Sequence, residues 1–95
     1  MKTYYVYILT SKLYGTLYIG VTSNLPKRIY EHQTKAVSGF TSKYNVTQLV
    51  HVEQYPNIIH AISREKQLKR WRRQYKLDLI NLHNPTWTDL SKTLL

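Results

Sequence analysis

The stretch from Leu17 to His32 constrains the fold most, because it predicts a strand, a turn and the start of a helix in direct succession. Apolar residues alternate with Tyr, Gly and Thr across residues 17–22, which is the period-two spacing of a β-strand. Ser23 or Asn24 can cap a helix, and Pro26 suits its first turn. We therefore expect the chain to pass from a strand directly into a helix.

The predicted helix runs from about Leu25 to Gln33 and carries two polar side chains close to its apolar face. Arg28 and His32 are four residues apart, so they lie on one face of the helix. Leu25 and Ile29 border that face, which places the arginine and the histidine beside the core contact. A plain hydrophobic core would not need this arrangement.

A β-hairpin is predicted before this helix. Residues Tyr4–Leu9 alternate and are rich in aromatic and β-branched side chains, which favours a first strand. The loop to the next strand is short, which favours antiparallel pairing. If Val6 and Ile8 pack with the apolar residues of the second strand, then Tyr7 and Tyr18 emerge together on the opposite face.

The rest of the chain predicts one more strand, two more helices and two irregular segments. In order, these are a loop over Thr34–Asn45, a strand over Leu49–Glu53, a helix from Ile58 to at least Trp71, a helix over Leu77–Leu82 and a tail over Thr86–Leu95. The predicted fold class is α/β (α+β) with the order β-β-α-β-α-α, in a domain of residues 1–85 followed by a tail of residues 86–95. Phe40 and Tyr44 are expected to fold back onto the body.

The charge of the chain is strongly unbalanced. Its 95 residues include 14 Lys and Arg against 5 Asp and Glu, a formal net charge of +9. Such an excess indicates a polyanionic partner, most often nucleic acid, and the alternative is a basic but inert surface. The lack of cysteine excludes a disulfide framework and a thiolate metal site. Because no apolar run reaches membrane-spanning length, we expect a cytoplasmic protein without a membrane partner.

Half of the 14 basic residues fall in one run near the end of the chain. They are Arg64, Lys66, Lys69, Arg70, Arg72, Arg73 and Lys76. Trp71 and Tyr75 interleave with them, and basic and aromatic groups together suit phosphate contact plus base stacking. The alternative is a solvated helix face with the two aromatic residues in the core.

Glu65 falls within the apolar stripe of the helix that starts near Ile58. The stripe consists of Ile58, Ala61, Ile62 and Leu68. A carboxylate on a buried face is costly unless it is paired or binds a cation. Two interpretations therefore stay open, a structural pair with a nearby Arg, Lys or Tyr and a functional metal ligand.

A small set of side chains has the chemistry for a phosphodiester site. They are Tyr7, Tyr18, Arg28, His32 and Glu65. One carboxylate on a basic scaffold suits a hard divalent cation such as Mg²⁺, which accepts few protein ligands. Arginine stabilises charge that develops on a phosphodiester, and tyrosine can position or deprotonate a water. The histidines show no paired ligand spacing, which disfavours a histidine metal site.

These residues resemble the motifs of the GIY-YIG nuclease superfamily, and within it the small single-domain bacterial proteins. The matching residues are Val6-Tyr7 (with Tyr5 in place of the usual glycine), Tyr18-Ile19-Gly20, Asn24 to Arg28, Arg64-Glu65-Lys66 and Asn84. The resemblance covers nearly the whole chain. It implies a small three-stranded antiparallel sheet flanked by helices, and metal-dependent cleavage of DNA phosphodiesters.

The resemblance also implies a role for each site residue. Tyr7 would orient or deprotonate the attacking water, and Tyr18 would support the phosphate or the water. Arg28 would stabilise the charge of the transition state, while His32 would assist proton transfer or contact phosphate. Glu65 would bind the metal ion, Mg²⁺ or Mn²⁺.

The predicted function is a divalent-metal-dependent endonuclease acting on DNA, in repair or recombination. Lys27 and the basic residues of the run Arg64–Lys76 are expected to contact the nucleic acid. Val21 stands where some nucleases of the superfamily carry a lysine, so we expect weak activity or the need for a partner domain. The alternatives are a nucleic-acid-binding module that cuts little, and an interaction domain whose charge is incidental.

Overall fold

The computed structural model describes residues 2–36 and 39–94. In chain order its elements are β1 (Tyr4–Thr10), β2 (Leu17–Thr22), α1 (Leu25–Gln33), α2 (Phe40–Lys43), β3 (Gln48–Tyr55), α3 (Ile58–Arg70), α4 (Arg73–His83) and α5 (Ser91–Leu94). The three strands form one antiparallel sheet with the order β2-β1-β3, which confirms the predicted fold class. Residues 37 and 38 of the predicted loop and residue 95 of the predicted tail lie outside the described residues.

The central strand β1 carries a hydrophobic cluster on each of its faces. The first cluster consists of Val6, Ile8, Ile19, Val50, Ala61, Leu68, Ile80 and Trp87. The second consists of Tyr7, Leu9, Leu25, Ile29, Val46 and Leu49. Helices α3 and α4 contribute to the first cluster and α1 to the second, so the sheet is covered on both faces. Tyr18 packs against the second cluster, which confirms that it shares a face with Tyr7.

Helix α1 has the bounds that the sequence predicts. Its N-cap is Asn24, whose side-chain oxygen accepts a hydrogen bond from the Lys27 amide at 3.2 Å. Leu25, Ile29 and His32 are its buried residues, so the histidine does lie on the face that contacts the core. The contact of α1 with the sheet therefore brings His32 next to Tyr7 of the central strand β1.

Helix α3 is rotated relative to the apolar stripe that the sequence predicts. Ala61 and Leu68 are fully buried, whereas Ile58 and Ile62 keep 39% and 37% of their surface exposed. The rotation turns Arg64 toward the sheet, where its Nε donates to a carboxylate of β3 at 2.8 Å. The expectation that both isoleucines belong to the buried face was therefore wrong, because the face that packs on the sheet is centred on Ala61 and Leu68 and is shifted toward Arg64.

Three segments are more helical than predicted. Helix α4 begins at Arg73 rather than at Leu77, because Arg, Gln and Lys are good helix formers even where they bury little. The predicted loop contains α2 and the predicted tail contains α5, each only four residues long. A single turn is too short to show a helical period in the sequence. Within the described ranges, no helix is long and apolar enough to cross a membrane.

The segment that follows α4 packs along the outer edge of β3. The Leu90 amide donates to the Leu49 carbonyl at 2.7 Å, and the Asn84 side-chain amide donates to the Val50 carbonyl at 3.1 Å. Trp87 is only 5% exposed and belongs to the first cluster. Asn84 therefore holds the C-terminal segment on the sheet, and the division of the chain after residue 85 stays a prediction.

Candidate active site

Three rings from three different elements meet on the α1 side of the sheet. Tyr7 comes from β1, Tyr18 from β2 and His32 from α1. The ring centroids are 6.4 Å apart for the two tyrosines, 5.9 Å for Tyr7 and His32, and 5.4 Å for Tyr18 and His32. Arg28 lies one helical turn before the histidine. The structure therefore brings together four of the five residues that were predicted to form the site.

Gly20 makes room for the Tyr7 ring. It pairs directly with Tyr7 across the β1–β2 ladder. A Cβ atom at position 20 would lie 2.5 Å from Tyr7 Cζ and 2.9 Å from its Cε1. Both distances are shorter than non-bonded carbon atoms normally approach one another. The glycine of the Tyr18-Ile19-Gly20 motif is thus required by the close approach of the tyrosine and not by its own backbone angles.

A chain of hydrogen bonds runs from Tyr7 through His32 to α2. The Tyr7 hydroxyl lies 3.1 Å from His32 Nε2, and His32 Nδ1 lies 3.0 Å from Thr41 Oγ1. Burial, followed by the charge of Arg28, lowers the pKa of His32 below its usual value, so the ring is neutral at pH 7. A neutral imidazole has one donor and one acceptor nitrogen, and both nitrogens have a partner here.

The Tyr7 hydroxyl is held protonated by its surroundings. Burial raises the pKa of Tyr7 to about 12, and the guanidinium of Arg28 acts in the opposite direction with a smaller effect. The interaction with Tyr7 in turn raises the pKa of Arg28. Tyr7 is therefore a proton donor or a relay at neutral pH, because a free phenolate would be scarce.

The exposed part of the site is formed by Arg28 and Tyr18. Tyr7 is fully buried and His32 is only 2% exposed, so these two side chains form the inner part of the site. The Arg28 side chain is 37% exposed and contacts Glu31 Oε1 at 3.5 Å. It faces a surface groove that Thr22, Asn24 and Lys27 also line. Substrate would meet Arg28 before it reaches Tyr7.

Glu65 approaches the site from α3. Its ion-pair partner Lys69 lines one surface groove together with Tyr18, which places the carboxylate near the Tyr18 edge of the site. The Glu65 side chain is 15% exposed, and its Oε2 lies 3.3 Å from Lys69 Nζ. The ion pair with Lys69 fits the interpretation of a structural pair, while the position next to the groove that Tyr18 lines fits that of a functional ligand.

The donor set suits a metal ion that needs few protein ligands. Within residues 2–36 and 39–94, no three His, Cys, Asp or Glu side chains lie close enough together to form a metal site of their own. Mg²⁺ and similar hard cations are often bound by one or two carboxylates, with water and substrate phosphate oxygens completing the shell. Glu65 fits this requirement, because its partner Lys69 is 53% exposed and free to move into solvent.

The predicted nucleic-acid contacts fall into two groups. The first group consists of side chains that can meet a phosphate because they are exposed or partly exposed, namely Lys27, Lys66, Lys69, Arg70, Arg72 and Lys76. Arg64 is instead occupied by Glu53, to whose two oxygens its Nε and Nη2 donate at 2.8 and 3.0 Å. Arg73 donates to the carbonyls of Tyr14 and Gly15 at 2.6 and 2.7 Å, and so fixes the β1–β2 loop. For Arg64 and Arg73 a phosphate contact would compete with these bonds.

Sequence reasoning missed Thr41 and Glu53. Thr41 was assigned to a loop, and no pattern pairs it with a histidine nine positions earlier.

Glu53 accepts hydrogen bonds from His51 Nε2 at 2.8 Å and from the Tyr55 hydroxyl at 2.7 Å, in addition to those from Arg64. The alternation of His51, Glu53 and Tyr55 along one strand face is a signal that could have indicated this cluster, because residues two apart share a face.

Comparison with known proteins assigns the chain to a class. A family model described as the GIY-YIG catalytic domain matches residues 3–78. The chain therefore belongs to the GIY-YIG family of nuclease domains, with the sheet and the tyrosine pair described above.

Within this family the chain is similar to small proteins named UPF0213. One from Staphylococcus saprophyticus is 35% identical over 81 residues, which cover 85% of this chain and 98% of the relative. Another from Syntrophus aciditrophicus is 38% identical over 86 residues, 90% of this chain and 97% of the relative. The solution NMR structure of a UPF0213 protein from Bacillus halodurans matches with a TM-score of 0.60 and 27% identity, over 97% of both chains.

Proposed function

We propose that this protein is a divalent-metal-dependent endonuclease that hydrolyses DNA phosphodiester bonds. The observation that carries the proposal is the contact of 3.1 Å between the Tyr7 hydroxyl and His32 Nε2, with Arg28 one helical turn before the histidine on α1. A phenol in contact with an imidazole supplies a proton path, and the guanidinium of Arg28 supplies a fixed positive charge at the same site. Proton transfer and charge stabilisation are two contributions that protein side chains make to phosphodiester hydrolysis.

In the proposed reaction Arg28 meets the substrate first. Its partly exposed guanidinium binds the scissile phosphate and stabilises the negative charge that grows on the phosphoryl oxygens. Because the Tyr7 hydroxyl is buried in this structure, the proposed reaction requires that binding of the phosphate at Arg28 opens access to it. The burial of Tyr7 thus keeps its hydroxyl out of solvent until substrate is bound.

Tyr7 and His32 then move the proton of the attacking water. The water gives a proton to the Tyr7 oxygen as Tyr7 passes its own proton to His32 Nε2, so no free phenolate forms. This order agrees with the raised pKa of Tyr7 and with a neutral His32 that accepts at Nε2. The Nδ1 proton of His32 would then be donated to Thr41 Oγ1, which fixes the tautomer. Tyr18 supports the phosphate or the water from β2.

Glu65 is the residue proposed to hold the metal ion, Mg²⁺ or Mn²⁺. GIY-YIG nucleases generally depend on a divalent metal. Such an ion would supply charge stabilisation on the phosphate oxygens and the leaving group. Lys69, now paired with Glu65, would be displaced toward the DNA backbone when the ion binds.

The test is the variant Glu65→Gln, with Asp78→Asn as the matched control on the exposed face of α4. Glu65→Gln should lower metal-dependent nicking of a plasmid on the order of a hundredfold or more, because the anionic ligand is lost. Binding of DNA in EDTA should hold or rise, since a negative charge near the phosphate path is removed. Asp78→Asn should change neither.

Thermal melts of the same preparations separate this proposal from a structural role of Glu65. The pair with Lys69 is partly exposed, so its loss should cost less than about 1 kcal/mol of unfolding free energy. A folded Glu65→Gln protein that cuts as fast as wild type would remove Glu65 from the site. A lower melting temperature with a proportional loss of activity would make it a structural residue.

A second candidate function is a DNA-binding module with little or no cleavage. The specific observation in its favour is the Lys69–Glu65 ion pair, which occupies the carboxylate proposed for the metal. This candidate predicts retention of DNA in a gel-shift assay and no nicking with Mg²⁺ or Mn²⁺. The same pair of assays on wild-type protein decides between the two.

A further inference from the structure

A row of aromatic side chains leads from the candidate active site to the surface. The Tyr18 ring, 5.4 Å from His32, stacks on Phe40 at 6.3 Å with an angle of 29° between the planes. The ring centroids of Phe40 and Tyr44 are in turn 4.9 Å apart. The row therefore begins beside the predicted catalytic side chains and ends on the outside of the molecule.

Helix α2 holds this row in place and leaves it exposed. Thr41, which is 4% exposed, anchors the helix through its hydrogen bond to His32. Phe40 and Tyr44 keep 47% and 48% of their surface exposed. The anchor of the short helix is thus a threonine, while the rings of Phe40 at its first position and of Tyr44 directly after its last residue are half-exposed. Exposed aromatic surface beside a functional site is typical of a binding surface.

The surface around the row is basic. Two lysines, Lys69 of α3 and Lys76 of α4, line one groove together with Tyr18 and Phe40. Lys43 Nζ lies 5.4 Å from the centre of the Tyr44 ring. Among the residues that the structure describes, no Asp or Glu lines this groove, and the nearest carboxylate on α3 is that of Glu65, paired with Lys69 at 3.3 Å. Ring faces with lysines on either side complement a nucleobase and its flanking phosphates.

We propose that Tyr18, Phe40 and Tyr44 form a stacking platform for an unpaired nucleobase of the DNA substrate, next to the scissile phosphate. Rings bind a base through its flat face, and in a duplex that face is covered by the neighbouring base pairs. The platform therefore selects DNA with unpaired nucleotides at the cut site, such as a single strand or a flap. This inference rests on the proposed function and specifies its substrate class.

The experiment measures binding in EDTA of one labelled oligonucleotide as a single strand and as a duplex, by fluorescence anisotropy. Phe40→Leu keeps apolar bulk and removes the ring face. It should weaken single-strand binding by about fivefold to a hundredfold, the range that base–aromatic stacking contributes, and duplex binding by less than about twofold. Tyr30→Leu is the matched control, because Tyr30 is 67% exposed on α1 and outside the row. It should change neither.

Salt dependence distinguishes stacking from charge. The ratio of wild-type to Phe40→Leu affinity should be equal at low and high salt, because stacking releases no counterions. Lys76→Gln should instead flatten the salt dependence on single strands by about 0.7 in log K against log salt. If Phe40→Leu unfolds, Tyr44→Leu at the outer end of the row makes the same comparison.

Equal losses on single strand and duplex, or no loss on either, would overturn the platform. Tighter binding of RNA than of DNA of the same sequence would overturn its assignment to DNA. Cleavage by wild-type protein with Mg²⁺ or Mn²⁺ is measured separately. If wild type does not cut but Phe40→Leu loses single-strand binding, the platform stands and the nuclease proposal fails. If wild type cuts and Phe40→Leu treats both DNAs alike, only the platform fails.

Discussion

Replacing Glu53 with glutamine should be the most destabilising change of a single charge in the protein. The Glu53 carboxylate is 17% exposed and accepts hydrogen bonds from the Arg64 guanidinium, His51 and Tyr55. Arg64, 22% exposed, also stacks over Trp71 at 5.0 Å from the ring centre. Glutamine keeps the shape but leaves the guanidinium without its counter-charge and turns an amide donor toward other donors.

The expected cost follows from this burial. Breaking a fully buried ion pair costs about 3–5 kcal/mol, and the partial exposure of both side chains reduces this to about 2–3 kcal/mol. For a domain of this size, about 1 kcal/mol shifts the melting temperature by about 4–8 °C, so Glu53→Gln should melt about 8–24 °C below wild type. The control Glu31→Gln breaks the exposed contact with Arg28 and should cost less than about 0.5 kcal/mol.

Urea unfolding between pH 8 and pH 3 provides the second readout. Burial raises the pKa of Glu53, but the hydrogen bonds from His51, Arg64 and Tyr55 together outweigh it, so its pKa lies well below the usual range. The stabilisation is fully present above the unfolded pKa of about 4.3 and is lost as the pH falls through the folded pKa. The difference between wild type and Glu53→Gln should therefore be constant at neutral pH and shrink below about pH 4. A cost no larger than that of Glu31→Gln would refute the assignment of this cluster as a structural clamp.

Two further predictions concern the chain of hydrogen bonds at the site. Gly20→Ala places a Cβ against the Tyr7 ring, so it should lower the free energy of unfolding by about 1–3 kcal/mol, measured by thermal melts. It should also lower nicking activity by more than the loss of folded protein explains, and unchanged melting and activity would contradict the close approach. Thr41→Val leaves His32 Nδ1 without its partner in a buried position, which should cost about 1–3 kcal/mol and lower the cleavage rate while DNA affinity in EDTA holds. Thr41→Ser should restore both, and a rate that Thr41→Val leaves unchanged would remove Thr41 from the proposed proton path.

The parts of the fold that the sequence predicted are those with a regular period. The alternation around Tyr7 and Tyr18 was enough to assign their common face, and four-residue spacing was enough to place Arg28 and His32 beside the core. Both depend on local geometry alone, and helix α1 matches its predicted bounds for the same reason.

The parts that could not be predicted depend on contacts between distant residues. Helix α2 is fixed by Thr41 against His32, and no local pattern marks a four-residue turn. The rotation of α3 follows from Arg64, whose partner Glu53 lies eleven positions earlier on another element. The burial of Tyr7 among residues of β1, α1 and β3 likewise needs the whole sheet and helix in place. Sequence alone therefore indicated which residues gather at the site, but not which of them face solvent.

The packing of the C-terminal segment along β3 has a consequence for aggregation. An uncovered strand edge offers unpaired backbone groups to any other chain and is a frequent starting point of intermolecular sheet formation. In this protein the Leu90 amide and the Asn84 side chain occupy carbonyls of β3 that would otherwise be open to such pairing. Detachment of the segment also removes Trp87 from the core. Loss of this contact would therefore expose an unpaired strand edge and apolar surface together, and we expect the protein to aggregate as a result.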